Sequence, residues 1–174
     1  MGTLVISSDS QFERVVRECY DDVFRFACSL TKGNADAADL TQQAFLRYAR
    51  KGHQVRDRSK IKSWLFSVLR NEFFDSQRKV ARHPHVELGA EHQQSEASES
   101  SDGHADWEIA LAALRSLPDG FREPLTLYYL QGYTYQEIAE TLDIPPGTVM
   151  SRLSRGKAKL RKVFPECPAT PSTP

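Results

Sequence analysis

The sequence predicts an all-α protein in which two small helical domains are joined by a flexible acidic linker. Apolar residues recur at three- and four-residue steps near both ends of the chain, and no stretch shows the alternation typical of a strand. Between them, residues 83–106 carry six acidic residues, no Lys or Arg, and few large apolar side chains. Such a segment cannot bury enough apolar surface to offset the entropy lost on ordering. We therefore place a first domain at 1–82, the linker at 83–106, a second domain at 107–164 and a disordered tail at 165–174.

The composition excludes several functional classes. Of the 174 residues, 40% are hydrophobic and 26% are charged, with zero formal net charge, which is ordinary for a globular protein. No apolar run is long enough to span a bilayer, and the chain does not open with a basic segment followed by an apolar one. The three cysteines form no CxxC pair, which fits a reducing compartment. We expect a cytoplasmic protein without membrane insertion.

The motifs of common enzymes are missing from the sequence. It contains no GxxxxGK phosphate loop, no HExxH and no GxSxG. Four of the five histidines, His83, His85, His92 and His104, lie in the linker without the cysteines or helical spacing that would organise a metal site. We therefore predict a protein that is not an enzyme and that holds no cofactor or metal ion.

Three helices are predicted in the first domain. The first ends before Gly33, the second spans 35–51 and ends at Gly52, and the third spans 61–82. The residues expected on their buried sides are Phe12, Val15, Val16, Cys19, Val23, Ala27 and Leu30 in the first, Leu40, Ala44 and Tyr48 in the second, and Ile61, Trp64, Leu65 and Val68 in the third.

The third helix interleaves aromatic and basic residues in the stretch WLFSVLRNEFFDSQRK. Helical spacing places Phe66 and Phe74 outside the predicted buried stripe, whereas Trp64 and Phe73 are expected to pack in the core. One interpretation is that all four rings pack against the other helices. The other is that nucleic-acid bases stack on exposed rings while nearby Arg and Lys side chains follow the phosphates.

The second domain is predicted to contain a helix-turn-helix. A first helix begins at Trp107 and ends near Pro118, after which Asp119 can cap the next helix. Thr134 and Glu137 then fit an S/T-x-x-E capping box in front of a short apolar helix. The tight connection DIPPG leads into a longer last helix. A short helix, a brief turn and a longer helix form the arrangement whose second helix enters the major groove of DNA.

The last helix, GTVMSRLSRGKAKLRK at 147–162, concentrates positive charge. From Ser151 onward it holds six Lys or Arg residues and no acidic one. Helical spacing puts four residues in one stripe that can pack on the preceding helix, with the cations facing outward. A solvated basic face is the alternative, because helices often carry Lys and Arg in their last turns. The uncompensated charge after a capped helix favours DNA binding. The stripe consists of Val149, Leu153, Gly156 and Leu160.

Three stretches follow one another along the chain: DAADLTQQAFLRYAR, IKSWLFSVLRNEFFDSQRK and LPDGFREPLTLYYLQGYTYQEIAETLDIPPGTVMSRLSRGKAKLR. The first two resemble the N-terminal conserved domain, sigma domain two, of extracytoplasmic-function sigma factors. The third resembles their C-terminal promoter-reading domain, sigma domain four. The resemblance covers about residues 10–164, apart from the linker. It implies a dissociable subunit that directs core RNA polymerase to promoters and helps to open the duplex.

The same resemblance implies the partners. These are core RNA polymerase, promoter DNA as duplex and as melted non-template strand, and, for some members of the family, an anti-sigma factor. In the family the helix matching 35–51 docks on the clamp coiled coil of polymerase. Gln43 stands where the family commonly has Glu, which puts one ion pair of that contact in question. The matching polymerase-binding positions are Asp39, Leu40, Gln42, Gln43 and Phe45.

The third helix and the loop before it match the family's binding site for the minus-ten element. Asn71 matches an asparagine of the pocket that holds a non-template base outside the stack, and its amide offers both a donor and an acceptor. Local hydrogen bonding is the alternative for so short a polar side chain. The matching minus-ten residues are Arg56, Arg58, Lys60, Arg70, Asn71, Arg78 and Lys79.

The last helix matches the family's binding site for the minus-thirty-five element. Arg can grip guanine bidentately or bind phosphate, and Ser can reach a base edge or a phosphate. Met150 occupies a place where many relatives have a polar or basic residue. It either contacts a thymine methyl or extends the apolar stripe, and we favour the second interpretation. The matching positions are Ser151, Arg152, Ser154, Arg155 and Lys157.

A second function remains open from the sequence. The second domain also resembles the DNA-binding domain of two-domain transcriptional regulators, in which the first domain senses a signal or dimerises. Such a protein binds duplex operators unaided, whereas a sigma factor needs core polymerase. The aromatic helix containing Asn71 favours the sigma factor, because a duplex binder has no need of it.

Overall fold

A computed structural model of the protein describes residues 6–82 and 102–163, with side chains at 11–82 and 106–162. Within these ranges the secondary structure is entirely helical, so the all-α prediction is confirmed. The described residues form two compact units, 6–82 and 102–163. The helices are α1 (Ile6–Leu30), α2 (Asn34–Lys51), α3 (Ile61–Arg82), α4 (Asp102–Arg115), α5 (Asp119–Gln131), α6 (Tyr135–Leu142) and α7 (Pro146–Val163), with short 3-10 turns at Gly52–Gln54 and Arg58–Lys60.

The predicted linker and tail fall mostly outside the described residues. Helix α4 begins at Asp102, so residues 102–106 of the predicted linker are helical. The predicted boundaries of the second domain and of the tail stay predictions.

The first unit is a three-helix bundle in which each helix packs on the other two. The apolar stripe of α1 is buried at Val15, Cys19 and Val23, as the spacing predicts. Burial raises the pKa of the Cys19 thiol, because a thiolate would lose solvation there. The face of α2 predicted from Leu40, Ala44 and Tyr48 is also buried.

The aromatic residues of α3 differ from the prediction. Phe66 is fully buried, with its ring centroid 5.0 Å from that of Phe26 in α1. Trp64, expected in the core, is only half-buried and meets Tyr48 of α2 edge-on. Because α3 contacts α1 on one side and α2 on another, its buried surface is wider than a single stripe. The hypothesis that bases stack on Phe66 is therefore wrong.

In the second unit, α7 packs on α5 and α6. All four residues of the predicted stripe, including Gly156, are buried. The sequence predicted that this stripe packs on α6, and the structure shows that α5 covers it as well. A Cβ at Gly156 would lie 2.7 Å from Leu125 Cδ1 and 3.3 Å from Phe121 Cβ, both in α5. Glycine therefore allows the backbones of α5 and α7 to come close together.

The helix ends of the second unit combine a confirmed prediction with a wrong one. Thr134 and Glu137 form both hydrogen bonds of the capping box at the start of α6. Asp119 does not cap α5: the N-cap is Pro118, and Asp119 pairs with Arg122 at 3.1 Å. Gly132, with φ of 66°, ends α5 in the left-handed conformation that glycine adopts without strain.

Candidate functional site

Helix α7 is held in place along one side and leaves the other side open. Val149 and Leu153 are buried in the core of the second unit, and Ile138 of α6 is fully buried. The capping box fixes the start of α6, and the backbone N–H of Thr148 donates to the carbonyl of Pro145 at 2.8 Å where α7 begins. These contacts set the direction in which the polar side of α7 points.

The polar side of α7 consists of small and basic residues. Ser154 and Arg155 are exposed, and Ser151 is half-buried with its Oγ donating to the Thr148 carbonyl at 3.0 Å. Gly147 and Ala158, on the same side, are also exposed. We call Gly147, Ser151, Ser154, Arg155 and Ala158 the outward surface of α7. Its short side chains leave room for another surface to approach the helix backbone.

The other predicted residues of α7 stand at the flanks of this surface. Arg152 is half-buried beside Gly120 of α5. The Nζ atom of Lys157 lies 5.1 Å from the ring centroid of Tyr128 and 5.6 Å from that of Tyr129. Cation–π contacts of this kind restrain a lysine without removing its charge. Of the five predicted residues, Ser151, Ser154 and Arg155 therefore lie on the outward surface of α7. Arg152 and Lys157 lie at its two edges.

Met150 does not extend the apolar stripe. Its side chain is 56% exposed, although Val149 beside it is fully buried. The favoured interpretation of this residue was therefore wrong, because Met150 lies on the flank of the helix and not on its buried side.

The loop before α3 carries exposed cations on an ordered backbone. Arg56, Arg58 and Lys60 are exposed. Between them, the carboxylate of Asp57 accepts hydrogen bonds from the backbone N–H of Ser59 at 2.9 Å and from its Oγ at 2.7 Å. These bonds favour the charged form and lower the pKa of Asp57 from its usual value.

The predicted residues of α3 are exposed or half-buried. Asn71 is exposed, and the guanidinium of Arg70 lies 5.2 Å from the ring centroid of half-buried Phe74. Arg78 is exposed and pairs with Asp75 at 3.0 Å. Lys79 is exposed as well. Helical spacing puts Arg70, Asn71, Phe74 and Arg78 on one side of α3, which we call the α3 strip, whereas Lys79 lies half a turn from Arg70.

Two ion pairs hold α3 against its neighbours. Arg47 of α2 pairs with Glu72, and Lys62 pairs with Asp22 of α1 at 2.5 Å. Glu72 follows Asn71 directly, so the pair with α2 restrains the helix beside Asn71.

The predicted polymerase-binding residues of α2 do not all reach the surface. Asp39, Gln42 and Gln43 are exposed, whereas Leu40 and Phe45 are only 7% and 6% exposed. Burial of the two apolar residues follows from their position on the side that faces the bundle.

Leu46 was missed by the sequence reasoning and is 49% exposed. It follows Gln42 by four residues and Gln43 by three, so helical spacing alone could have identified it as part of the same face. We call Asp39, Gln42, Gln43 and Leu46 the outer face of α2.

An apolar groove runs beside the outer face of α2, between α1 and α2. Its volume is about 370 Å³. Tyr20 is 43% exposed there and stacks on Phe45, with the ring centroids 6.1 Å apart. The lining residues are Phe12, Val16, Tyr20, Ala38, Asp39, Gln42 and Phe45. Phe45, although buried, is thus part of the lining of this groove.

Within the described ranges, no three His, Cys, Asp or Glu side chains come together as metal ligands would. The side chains of the linker histidines fall outside those ranges. Among the described helices, none is long and apolar enough to span a membrane.

Comparison with known proteins matches both halves of the chain. Sigma-70 region 2 matches residues 15–83, and Sigma-70, region 4 matches residues 107–160. The ECF RNA polymerase sigma factor SigM of Bacillus subtilis is 34% identical over 147 residues, which cover 83% of this chain and 89% of the relative. The ECF RNA polymerase sigma factor EcfG of Rhodopseudomonas palustris is 35% identical over 136 residues, covering 78% and 75%.

Solved structures agree with these matches. The sigma factor RpoE from Bartonella quintana, solved in complex with the anti-sigma factor NepR, superimposes with a TM-score of 0.78 at 26% identity, covering 91% of this chain and 99% of that one. CnrH, solved with the cytosolic domain of CnrY, has the same fold with a TM-score of 0.65 at 19% identity, covering 90% and 89%.

Proposed function

The chain belongs to the extracytoplasmic-function family of RNA polymerase sigma factors, and we propose that three of its surfaces divide the work of promoter recognition. As a sigma factor it directs core RNA polymerase to promoters. The match of residues 15–83 to region 2 removes the interpretation as a regulator that binds operators unaided. Sigma factors are generally non-catalytic. We propose that this chain likewise performs no chemistry of its own and that it acts in the cytoplasm, where promoters and polymerase meet.

The outward surface of α7 binds the duplex at the minus-thirty-five element. The proposal is supported by the exposure of Ser154 and Arg155 opposite a buried stripe that anchors the helix. Short side chains let the helix backbone come close to the base edges, and Arg155 can bind guanine bidentately. Arg152 and Lys157, at the flanks, are suited to the phosphates on either side of the groove.

The α3 strip and the preceding loop bind the melted minus-ten element. Asn71 offers an amide donor and acceptor to a base taken out of the stack. The exposed cations Arg56, Arg58 and Lys60 of the loop, together with Arg78 and Lys79 of α3, can follow the phosphates of the strand. With Phe66 buried, Phe74 is the ring of the strip with exposed surface for a base.

The outer face of α2 binds core polymerase. Leu46 supplies an exposed apolar contact among the polar side chains of Asp39, Gln42 and Gln43. Exposed apolar residues flanked by polar ones are typical of the centres of protein interfaces. Leu40 and Phe45 contribute indirectly, because their burial holds this face of α2 on the bundle.

Polymerase makes two weak DNA contacts act together. Each DNA-binding surface has few cations, so each alone makes few phosphate contacts and should bind weakly. Fixing both units on one polymerase raises the effective concentration of the second contact once the first has formed. Selectivity then requires both elements of the promoter.

The substitution Leu46→Glu tests the polymerase contact. It should weaken binding of fluorescently labelled protein to purified core polymerase by about ten-fold or more, as removal of a central interface residue does. Ile109→Glu is the matched control, because Ile109 of α4 is similarly exposed at 57% and lies outside the proposed interface. Equal affinity of the two variants would contradict the proposed role of the outer face of α2.

Promoter-dependent transcription with core polymerase tests the two DNA surfaces. Arg155→Ala should weaken closed promoter binding by about 1–3 kcal/mol, as expected for an arginine that binds a base, and Arg152→Ala should weaken it by less, as expected for a phosphate contact. Asn71→Ala should leave duplex binding nearly unchanged and reduce promoter opening, measured by permanganate reactivity of the melted thymines. Wild-type transcription by all three variants would refute the assignment of these residues.

A further inference from the structure

Met150 is an exposed apolar side chain on a helix side that is otherwise polar. It is the fifth residue of α7 and 56% exposed. One turn before it lies Gly147, and one turn after it lies Ser154, both of them exposed members of the outward surface of α7. The exposed side chain of Met150 stands beside the proposed DNA surface, where it can contact an apolar group of the bound duplex.

The major groove offers such a side chain one suitable partner. Base edges there present hydrogen-bond donors and acceptors, and the 5-methyl group of thymine is their apolar feature. Methionine donates no hydrogen bond and its sulfur is a weak acceptor, so it is a poor ligand for phosphate. Its flexible, polarisable thioether adapts easily to a small apolar group. Residues near the start of a recognition helix are those that contact base edges.

We propose that Met150 contacts the 5-methyl group of one thymine in the minus-thirty-five element and thereby selects that base. The proposal rests on the proposed function of α7. Removing either partner of the contact should weaken promoter binding about four-fold, the factor expected for exposing one methylene-sized apolar group. The effects of removing Met150 and of removing the methyl should not add, because they break the same contact.

The test uses holoenzyme and DNA that differs by single methyl groups. Wild-type holoenzyme first selects minus-thirty-five sequences from a promoter library that is randomised in that element. In the selected promoter each thymine is then replaced in turn by deoxyuracil, which lacks only the 5-methyl group. Closed-complex affinity is measured for wild type, Met150→Ala, Met150→Leu and the exposed-residue control Ile109→Ala.

One deoxyuracil position should weaken wild type, Met150→Leu and Ile109→Ala about four-fold. Met150→Ala should bind the thymine promoter about four-fold more weakly than wild type and be insensitive to deoxyuracil at that position. A selected element without thymine on either strand, or equal deoxyuracil sensitivity in wild type and Met150→Ala, would overturn the proposal for Met150 alone. Failure of wild-type holoenzyme to enrich any minus-thirty-five sequence would instead overturn the proposed function of α7, and this proposal with it.

Discussion

Replacing Gly156 by alanine tests the packing that orients the DNA-binding helix. Gly156 lies in the buried stripe of α7, where a Cβ would come within 2.7 Å of Leu125 Cδ1. Leu125 is fully buried, so its side chain has little space into which to move. The matched control is Gly147→Ala in the same helix, where a Cβ would meet no atom within 4 Å.

The expected magnitude follows from two opposing effects. Alanine is favoured over glycine inside a helix by about 1 kcal/mol. Adding a methyl group to a tightly packed contact costs about 1–3 kcal/mol. Only the first effect applies to Gly147→Ala, which should be neutral or stabilising. We therefore expect the free energy of unfolding of the second unit to be about 1–3 kcal/mol lower in Gly156→Ala than in Gly147→Ala.

The assay must report on each unit of the chain separately. Urea unfolding of the full chain, followed through amide NMR signals of α5–α7 and of α1–α3, meets this requirement. The signals of α1–α3 serve as an internal control and should not change. If Gly156→Ala were as stable as Gly147→Ala, or more stable, then the close approach of α5 and α7 would not constrain α7 as the structure indicates.

Three further predictions concern other parts of the structure. Thr134→Ala removes a confirmed N-cap and should lower the free energy of unfolding of the second unit by about 0.5–2 kcal/mol in the same urea assay; no change would contradict the role of the cap. Phe66→Ala should destabilise the first unit by about 3–5 kcal/mol, because it leaves a cavity beside Phe26, and a stable variant with weakened DNA binding would restore the stacking hypothesis. Ser59→Ala should raise the pKa of Asp57, followed by carboxyl NMR, since the hydroxyl of Ser59 is the main cause of its lowering. Because the folded pKa of Asp57 lies below its usual 3.8, this contact stabilises the fold above that pH and the stabilisation is lost as the pH falls; an unchanged pKa in the variant would contradict this.

Local signals in the sequence were sufficient for the helices themselves. The third helix was predicted at 61–82 and is observed at Ile61–Arg82. The capping box at Thr134 and Glu137 was predicted from a four-residue pattern, because its hydrogen bonds join groups close together in sequence. The buried stripe of α7 followed from helical spacing alone.

Contacts between helices were less predictable, since periodicity identifies one face of a helix but not the number of neighbours that cover it. Phe66 was misplaced because α3 packs on two helices at once. The approach of α5 to Gly156 was not predicted, because a glycine carries no side chain to indicate which helix approaches it.

The residues of the candidate site were predicted from their positions in the motifs. The structure then shows which of these residues are exposed and which are buried. Leu40 and Phe45 match motif positions yet are buried, while Leu46 is exposed and was not named. Lys157 was predicted to face outward but is half-buried against two tyrosines, and this contact could not be foreseen because those residues come from another helix. Motif matching identifies the surface, and burial decides which of its side chains can touch a partner.

Site-specific photo-crosslinking in reconstituted holoenzyme tests most directly whether α7 binds the minus-thirty-five duplex and α3 binds the melted minus-ten strand. Benzoylphenylalanine is introduced in place of Ser154 or Phe74, and the labelled nucleotides are mapped on a promoter held closed in the cold and then allowed to open on warming. The probe at 154 should label the minus-thirty-five duplex in both states, and the probe at 74 should label the minus-ten non-template strand only after opening. Labelling confined to polymerase subunits, or labelling from position 74 that is the same before and after warming, would contradict the proposal that α7 binds duplex DNA and α3 binds melted DNA.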